Sequence, residues 1–214
     1  MTADPLSLRS SAVAVAIRER RLIAVLRRIE PRERLLALVD ELVADALCIF
    51  EVTFDAPDAA GDLMALRQRL GGAGIVGAGT IRTMDQLHAA IEAGAAFGVS
   101  PVLDPAILGA ALDAGLPFIP GSYSPTEIDA AWRAGATFVK LFPGSSLGPS
   151  HVRELRGPLP EVETIVTGGV DASNAVAFLA AGAVALGIGS AIGRMSFDER
   201  RALIAAVAAI EPVA

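Results

Sequence analysis

The chain has 214 residues, is 53% hydrophobic and carries a formal net charge of −6. It is long enough to bury a full core, yet no apolar run reaches the ~18 residues of a membrane span. The acidic balance and the lack of any basic run argue against nucleic acid as a partner.

A single cysteine, Cys48, excludes an internal disulfide, and two histidines with no CxxC leave no sequence-local metal site. The apolar patch at residues 12–17 is followed at once by Arg18-Glu19-Arg20-Arg21. It is too short for a secretory leader and is expected to form an amphipathic first helix of a cytoplasmic protein.

From there short apolar runs alternate with helix-like segments. Strands are expected at 22–26, 47–52, 74–78, 95–99, 117–120, 137–142, 163–166 and 184–188. Helices are expected at 31–44, 57–70, 83–93, 105–114, 125–134, 149–155 and 173–181, many opened by proline or a capping residue. Gly94, Gly115, Gly135 and Gly182 suit left-handed helix stops. No linker interrupts the rhythm, so residues 1–214 read as one domain. Strand alternating with helix implies a parallel sheet. Eight repeats predict an α/β fold, a (β/α)8 TIM barrel with an extra N-terminal helix. An open doubly wound sheet is the alternative, but it would more often show a glycine-rich turn after the first strand, where Leu26-Arg27-Arg28-Ile29 stands.

The polar residues fall at one end of these strands: Arg27, Glu51 with Thr53, Thr80, Ser100, Ser122, Lys140, Thr167, and finally Gly189-Ser190. In a barrel of this kind the carboxyl ends of the strands build the active site. Lys140 is the most telling, lying inside Phe138-Val139-Lys140-Leu141-Phe142. A parallel strand covered on both faces is apolar throughout, so a charge there needs a reason. The bland explanation is a lysine whose stem lines the strand while its head escapes to solvent. The functional one is an amine kept neutral by burial, the form that attacks ketones.

Glu51 is likewise an ion in an apolar strand, and its parity with Ile49 faces the barrel interior. The second and sixth strands stand opposite one another, which lets the two side chains reach together. A mere buried ion pair is weak evidence for stability, so function is the better account. The turns Thr167-Gly168-Gly169 and Gly189-Ser190 offer backbone N–H groups at the position where such barrels hold phosphate. No lysine or arginine adjoins them in sequence, so backbone amides are expected to do the holding.

These residues carry a resemblance to the class I aldolases of 2-keto-3-deoxy-6-phosphogluconate (KDPG) and its galactonate epimer. It spans residues 22–192. It rests on Glu51-Val52-Thr53, Gly77-Ala78-Gly79-Thr80, Ser100-Pro101, Pro120-Gly121, Pro125-Thr126-Glu127, Lys140-Leu141-Phe142-Pro143, Thr167-Gly168-Gly169 and Gly189-Ser190. The resemblance implies Lys140 as the Schiff-base lysine and Glu51 as the acid/base. Thr80, Pro101, Phe142 and Thr167 then frame the substrate, and Gly168, Gly169, Gly189 and Ser190 take its phosphate. It further implies cleavage of a phosphorylated keto acid to pyruvate and glyceraldehyde 3-phosphate, extension to 4-hydroxy-2-oxoglutarate, no cofactor or metal, and a homotrimer.

In the gluconate branch an arginine commonly stands four residues after the glutamate. Here Asp55 stands there and is expected to repel the substrate carboxylate, which is assigned to Arg27 instead. Leu26-Arg27 and residues 142–149 resemble the galactonate branch, while Thr167 resembles the gluconate one. An isomerase or synthase, or a non-catalytic sugar-phosphate-binding barrel, are the competing readings, and neither requires a lysine–glutamate pair.

Overall fold

The computed structural model describes residues 4–211. Its strands are β1 (Leu22–Leu26), β2 (Ile49–Thr53), β3 (Ile75–Gly79), β4 (Gly98–Val99), β5 (Phe118–Ile119), β6 (Gly121–Ser122), β7 (Val139–Leu141), β8 (Thr164–Thr167) and β9 (Ala185–Ile188). All neighbours pair in parallel, in the order β5-β4-β3-β2-β1-β9-β8-β7-β6. The described residues form nine strands where eight were expected, because the fifth is split at Pro120. Proline has no N–H to give to a ladder. Its carbonyl still accepts from the Lys140 N–H at 2.9 Å, so the two ends of the sheet meet there and the barrel closes.

The helices are α1 (Pro5–Arg9), α2 (Ala12–Arg20), α3 (Arg32–Ala44), α4 (Ala59–Leu70), α5 (Met84–Glu92), α6 (Pro105–Asp113), α7 (Pro125–Arg133), α8 (Gly144–Leu155), α9 (Ala175–Ala180) and α10 (Phe197–Ala208). Thr83, Asp104 and Ser124 cap their helices by accepting backbone N–H groups. Gly94, Gly115, Gly135 and Gly182 are left-handed, as the helix stops require. Helix α8 begins five residues before the expected 149. Gly148, at φ 72°, and Pro149 kink it, so its first turn forms a separate corner beside β7.

Two apolar layers hold the fold. An outer one packs helices on strands. An inner one fills the barrel with Ile23, Ile49, Phe97, Phe138, Ile165 and Ala185, and Ala14 and Ile17 of α2 close it from below. Each such aliphatic side chain contributes about 1.5–3 kcal/mol by leaving water. The plug helix is pinned by side chains: Arg18 meets Glu163 at 2.5 and 2.7 Å. In α1, Arg9 donates to the carbonyls of Trp132 and Ala136 with its guanidinium stacked on the Trp132 ring. Strand parity then places Val25, Glu51, Lys140, Thr167 and Gly187 one layer above this floor, two residues beyond its members.

Candidate active site

Counting around the barrel from β2 to β7, three strands intervene through β1, β9 and β8. Glu51 and Lys140 therefore face each other across the interior. Both are nearly sealed, at 2% and 4% exposure. Neither head makes a hydrogen bond or an ion pair with any described residue, and Glu51 Oε1 is fully buried without a partner. Burial pushes the Glu51 carboxyl above its ordinary range, against the pull of Lys140 and Arg27, with Asp55 adding to the rise. Burial lowers the Lys140 amine, opposed by Glu51 and assisted by Arg27. The outcome is a weakly basic amine beside a carboxyl of reduced acidity, two groups suited to nucleophilic attack and proton transfer near neutrality.

Glycines in β3 make this geometry fit. Gly77 lies opposite Glu51 in the ladder and leaves room for the Phe97 ring, 2.5 Å from where a Cβ would stand. At Gly79 a Cβ would stand 1.8 Å from Glu51 Oε1, so the carboxylate lies directly over this glycine. The Gly-Ala-Gly spelling thus reflects one ring and one buried carboxyl side chain pressed against a strand.

Above Lys140 opens a cavity of about 970 Å3. Arg27, Thr80, Pro101, Lys140, Phe142, Thr167, Gly168, Gly169, Gly189 and Ser190 all line it. Among the sequence-predicted site residues only Glu51 lies beneath the surface. The Phe142 ring sits 4.9 Å from Lys140 Nζ and forms one wall. Thr167 Oγ1 is buried and unpaired. Gly168 and Gly169 take φ values of 82° and 78°, a conformation that costs glycine nothing.

Ser100 and Ser122 stand apart from this set. Ser100 donates to the Val102 carbonyl at 2.7 Å, which makes it a turn residue. Ser122 lines a neighbouring cavity of about 410 Å3, which shares Pro101 and Phe142 with the larger one.

Two expectations need correction. Asp55 is no free repelling charge: its Oδ2 accepts from Arg27 Nη1 at 2.7 Å and lies 3.2 Å from Arg28 Nε. Burial acts upward on this carboxyl, but the nearby Thr53 hydroxyl and the charges of Arg27 and Arg28 outweigh it and hold it below the usual range. Nor are backbone amides the only donors around the glycine turns. Arg28, Arg34 and Arg194 line the same cavity, with Glu41 and Asp171 as acidic neighbours. Arg34 lies in the first turn of α3. A helix that follows a barrel strand begins at the mouth, and that was the one sequence signal pointing to it.

Residues 13–207 match the family model for KDPG and KHG aldolase. The chain is 34% identical to the probable 2-dehydro-3-deoxy-6-phosphogalactonate aldolase of Rhizobium meliloti (strain 1021), over 91% of this chain and 93% of that one. It is 35% identical to the 2-dehydro-3-deoxy-phosphogluconate aldolase of Treponema pallidum, over 71% and 72% of the respective chains. A crystal structure of KDPG aldolase from Legionella pneumophila, with pyruvate captured as a covalent carbinolamine, superposes with a TM-score of 0.79 at 26% identity, covering 97% of this chain and 99% of that one. Matched along nearly its whole length by that model and by these relatives, and sharing their barrel, the chain belongs to the KDPG and KHG aldolase family, whose members are carbon–carbon lyases.

Proposed function

We propose that the protein is a class I aldolase that cleaves 2-keto-3-deoxy-6-phosphogluconate, and with it 4-hydroxy-2-oxoglutarate, through a Schiff base on Lys140. The observation that carries this reading is the pair of sealed, unpaired ionisable heads facing each other beneath an anion-friendly cavity. Neutral Lys140 adds to the C2 ketone to give a carbinolamine, which loses water to an iminium. That cation is an electron sink for the bond to be broken. Glu51 takes the proton of the C4 hydroxyl, the C3–C4 bond breaks, and glyceraldehyde 3-phosphate departs. The enamine left behind is protonated at C3, with Glu51 as the donor, and hydrolysis of the resulting iminium releases pyruvate and regenerates the amine. Thr80, Pro101 and Phe142 frame the pyruvyl end, and Arg27 receives its carboxylate. Thr167 faces the hydroxyls, and Gly168, Gly169, Gly189 and Ser190 receive the phosphate.

One observation favours the galactonate epimer as a second reading. Arg27, at the end of β1, reaches the mouth and bonds Thr80, in the place where the galactonate branch carries its own Leu-Arg pair. Coupled pyruvate-release assays on the two epimers, run side by side, decide between them. The family resemblance brings with it a homotrimer and a cytoplasmic setting.

Borohydride reduction in the presence of pyruvate tests the chemistry. Wild-type protein is expected to gain one pyruvyl mass, mapped to Lys140, and K140M to gain none and lose activity by a factor on the order of 10^4. Unmodified wild-type protein would end the Schiff-base reading in favour of a non-catalytic binder.

A further inference from the structure

Four residues past Glu51, in the loop that follows β2, Asp55 stands behind the wall of the cavity and does not line it. Its side chain is 22% exposed, and the two arginines it meets are far more open, at 49% and 63%. Oδ2 takes Arg27 Nη1 at 2.7 Å, and the Asp55 carbonyl takes Arg28 Nε at 3.1 Å. The other arm of Arg27, Nη2, donates to Thr80 Oγ1 at 3.1 Å. The guanidinium is therefore stretched from the end of β1, past β2, to the end of β3.

Backbone conformations at the same spot are unusual. Thr80 has φ 58° and Arg28 has φ 47°, left-handed values that are unfavourable without glycine and most so for a β-branched residue. Strained backbone persists only where its surroundings over-determine it. A guanidinium has five N–H donors, and the two hydrogen bonds to Asp55 and Thr80 leave the remainder for a ligand. An arginine on a long free stem would lose side-chain freedom on each binding event. One already held at two points would not.

We propose that Asp55 is a positioning residue that holds Arg27 across the mouth, so that the carboxylate of the keto acid meets a guanidinium already oriented to bind it. It also cancels one of two adjacent positive charges at the end of β1, beside the strand that carries Glu51. The proposal rests on the Schiff-base reading above. The rival explanation is that Asp55 competes with the substrate for Arg27, and the two predict opposite signs.

Borohydride trapping titrated with pyruvate reads the difference. In D55A the pyruvate concentration for half-maximal trapping should rise roughly tenfold, since one charge-assisted contact is lost, with the plateau and the cleavage kcat within about twofold of wild type. D55N keeps an acceptor oxygen and should show a smaller rise, about threefold. R27A should match D55A or exceed it, and R27A/D55A should be no weaker than R27A alone. An unchanged or lowered half-saturation in D55A, or losses in R27A and D55A that multiply, overturns the proposal. If D55A does not fold, D55N carries the test, and a wild-type titration in that variant is the overturning result. Failure of wild-type protein to trap at all would instead remove the reading beneath it, so the two failures are distinguishable.

Discussion

Arg200 and Asp45 are buried about as deeply as Lys140 and Glu51, yet the two pairs are built in opposite ways. Arg200 of α10 donates from Nε to Asp45 Oδ2, from Nη1 to the Met195 carbonyl at 2.8 Å, and approaches Glu41 at 3.5 Å. Its charge is answered on three sides and ties the last helix to the end of α3. Lys140 and Glu51 answer no neighbour with a hydrogen bond. Removing an ion from water costs several kcal/mol, recovered only by close and well-directed partners. The first pair recovers much of that cost and the second does not. Charge buried with partners is architecture here, and charge buried without them is what the proposed chemistry requires.

The sharpest break of this comparison is to remove one cation from each pair. R200A leaves Asp45 buried and uncompensated, and is expected to cost about 3–5 kcal/mol in urea unfolding. The fraction that stays folded should still trap pyruvate. K140M, with a volume close to lysine, should keep or raise the unfolding midpoint at pH 7 while abolishing the reaction. The pH dependence follows from the directions of the shifts. The folded-state pKa of Lys140 is lowered, so the unfolded chain binds more protons and the penalty is full at low pH. That penalty fades as pH rises toward the ordinary lysine value, and the stability gap between K140M and wild type should narrow accordingly. The raised pKa of Glu51 acts the other way, with a penalty that grows as pH climbs above the ordinary carboxyl value. A K140M protein as unstable as R200A would mean that Lys140 is a structural ion after all.

A gentler change sharpens the same contrast from the carboxylate side. G79A adds one methyl where Glu51 Oε1, Cδ and Cγ lie within 1.8–2.5 Å of the new atom. A flexible side chain can move, so the barrel should fold, but the head of Glu51 must leave its place above β3. Misplacement of a reacting group by about 1 Å costs roughly 100-fold in rate. We expect kcat to fall on that scale with the circular dichroism unchanged. Normal kcat would show that proton transfer does not depend on Glu51.

Much of this was legible in the residues themselves, for a physical reason. Apolar runs bounded by Pro, Gly and capping residues are local signals, and each repeat of a barrel is a local unit. The candidate site was legible because Lys140 and Glu51 violate the apolar pattern of their own strands. What stayed hidden depended on distant segments meeting. Pro120 could be seen in its strand, but only the neighbouring strands show that it splits the ladder while its carbonyl keeps the barrel closed. Asp55 looked like a repelling charge because its partners Arg27 and Arg28 lie about thirty residues upstream on another strand's end. Gly79 was visible as part of a motif, but its reason, the Glu51 side chain lying across it, is a matter of register between β2 and β3.

Arg34 and Arg194 were missed in the same way, and they supply the smallest of the expected effects. Both line the cavity that the glycine turns enter, and neither makes an ion pair or side-chain hydrogen bond with a described residue. Both are exposed, so their attraction for a phosphate is screened and is worth far less than that of a sealed pair. The double variant R34A/R194A is therefore expected to raise KM for the phosphorylated substrate by about threefold to tenfold, and more at low salt than at high. The unphosphorylated 2-keto-3-deoxygluconate should show no change, and neither should pyruvate trapping, because nothing at the Lys140 end has moved. An equal loss on both sugar acids would place the two arginines in the support of the mouth as a whole. No loss on either would leave the phosphate to the backbone amides of Gly168, Gly169, Gly189 and Ser190, whose donors are fixed by the fold and need no side chain to be ordered.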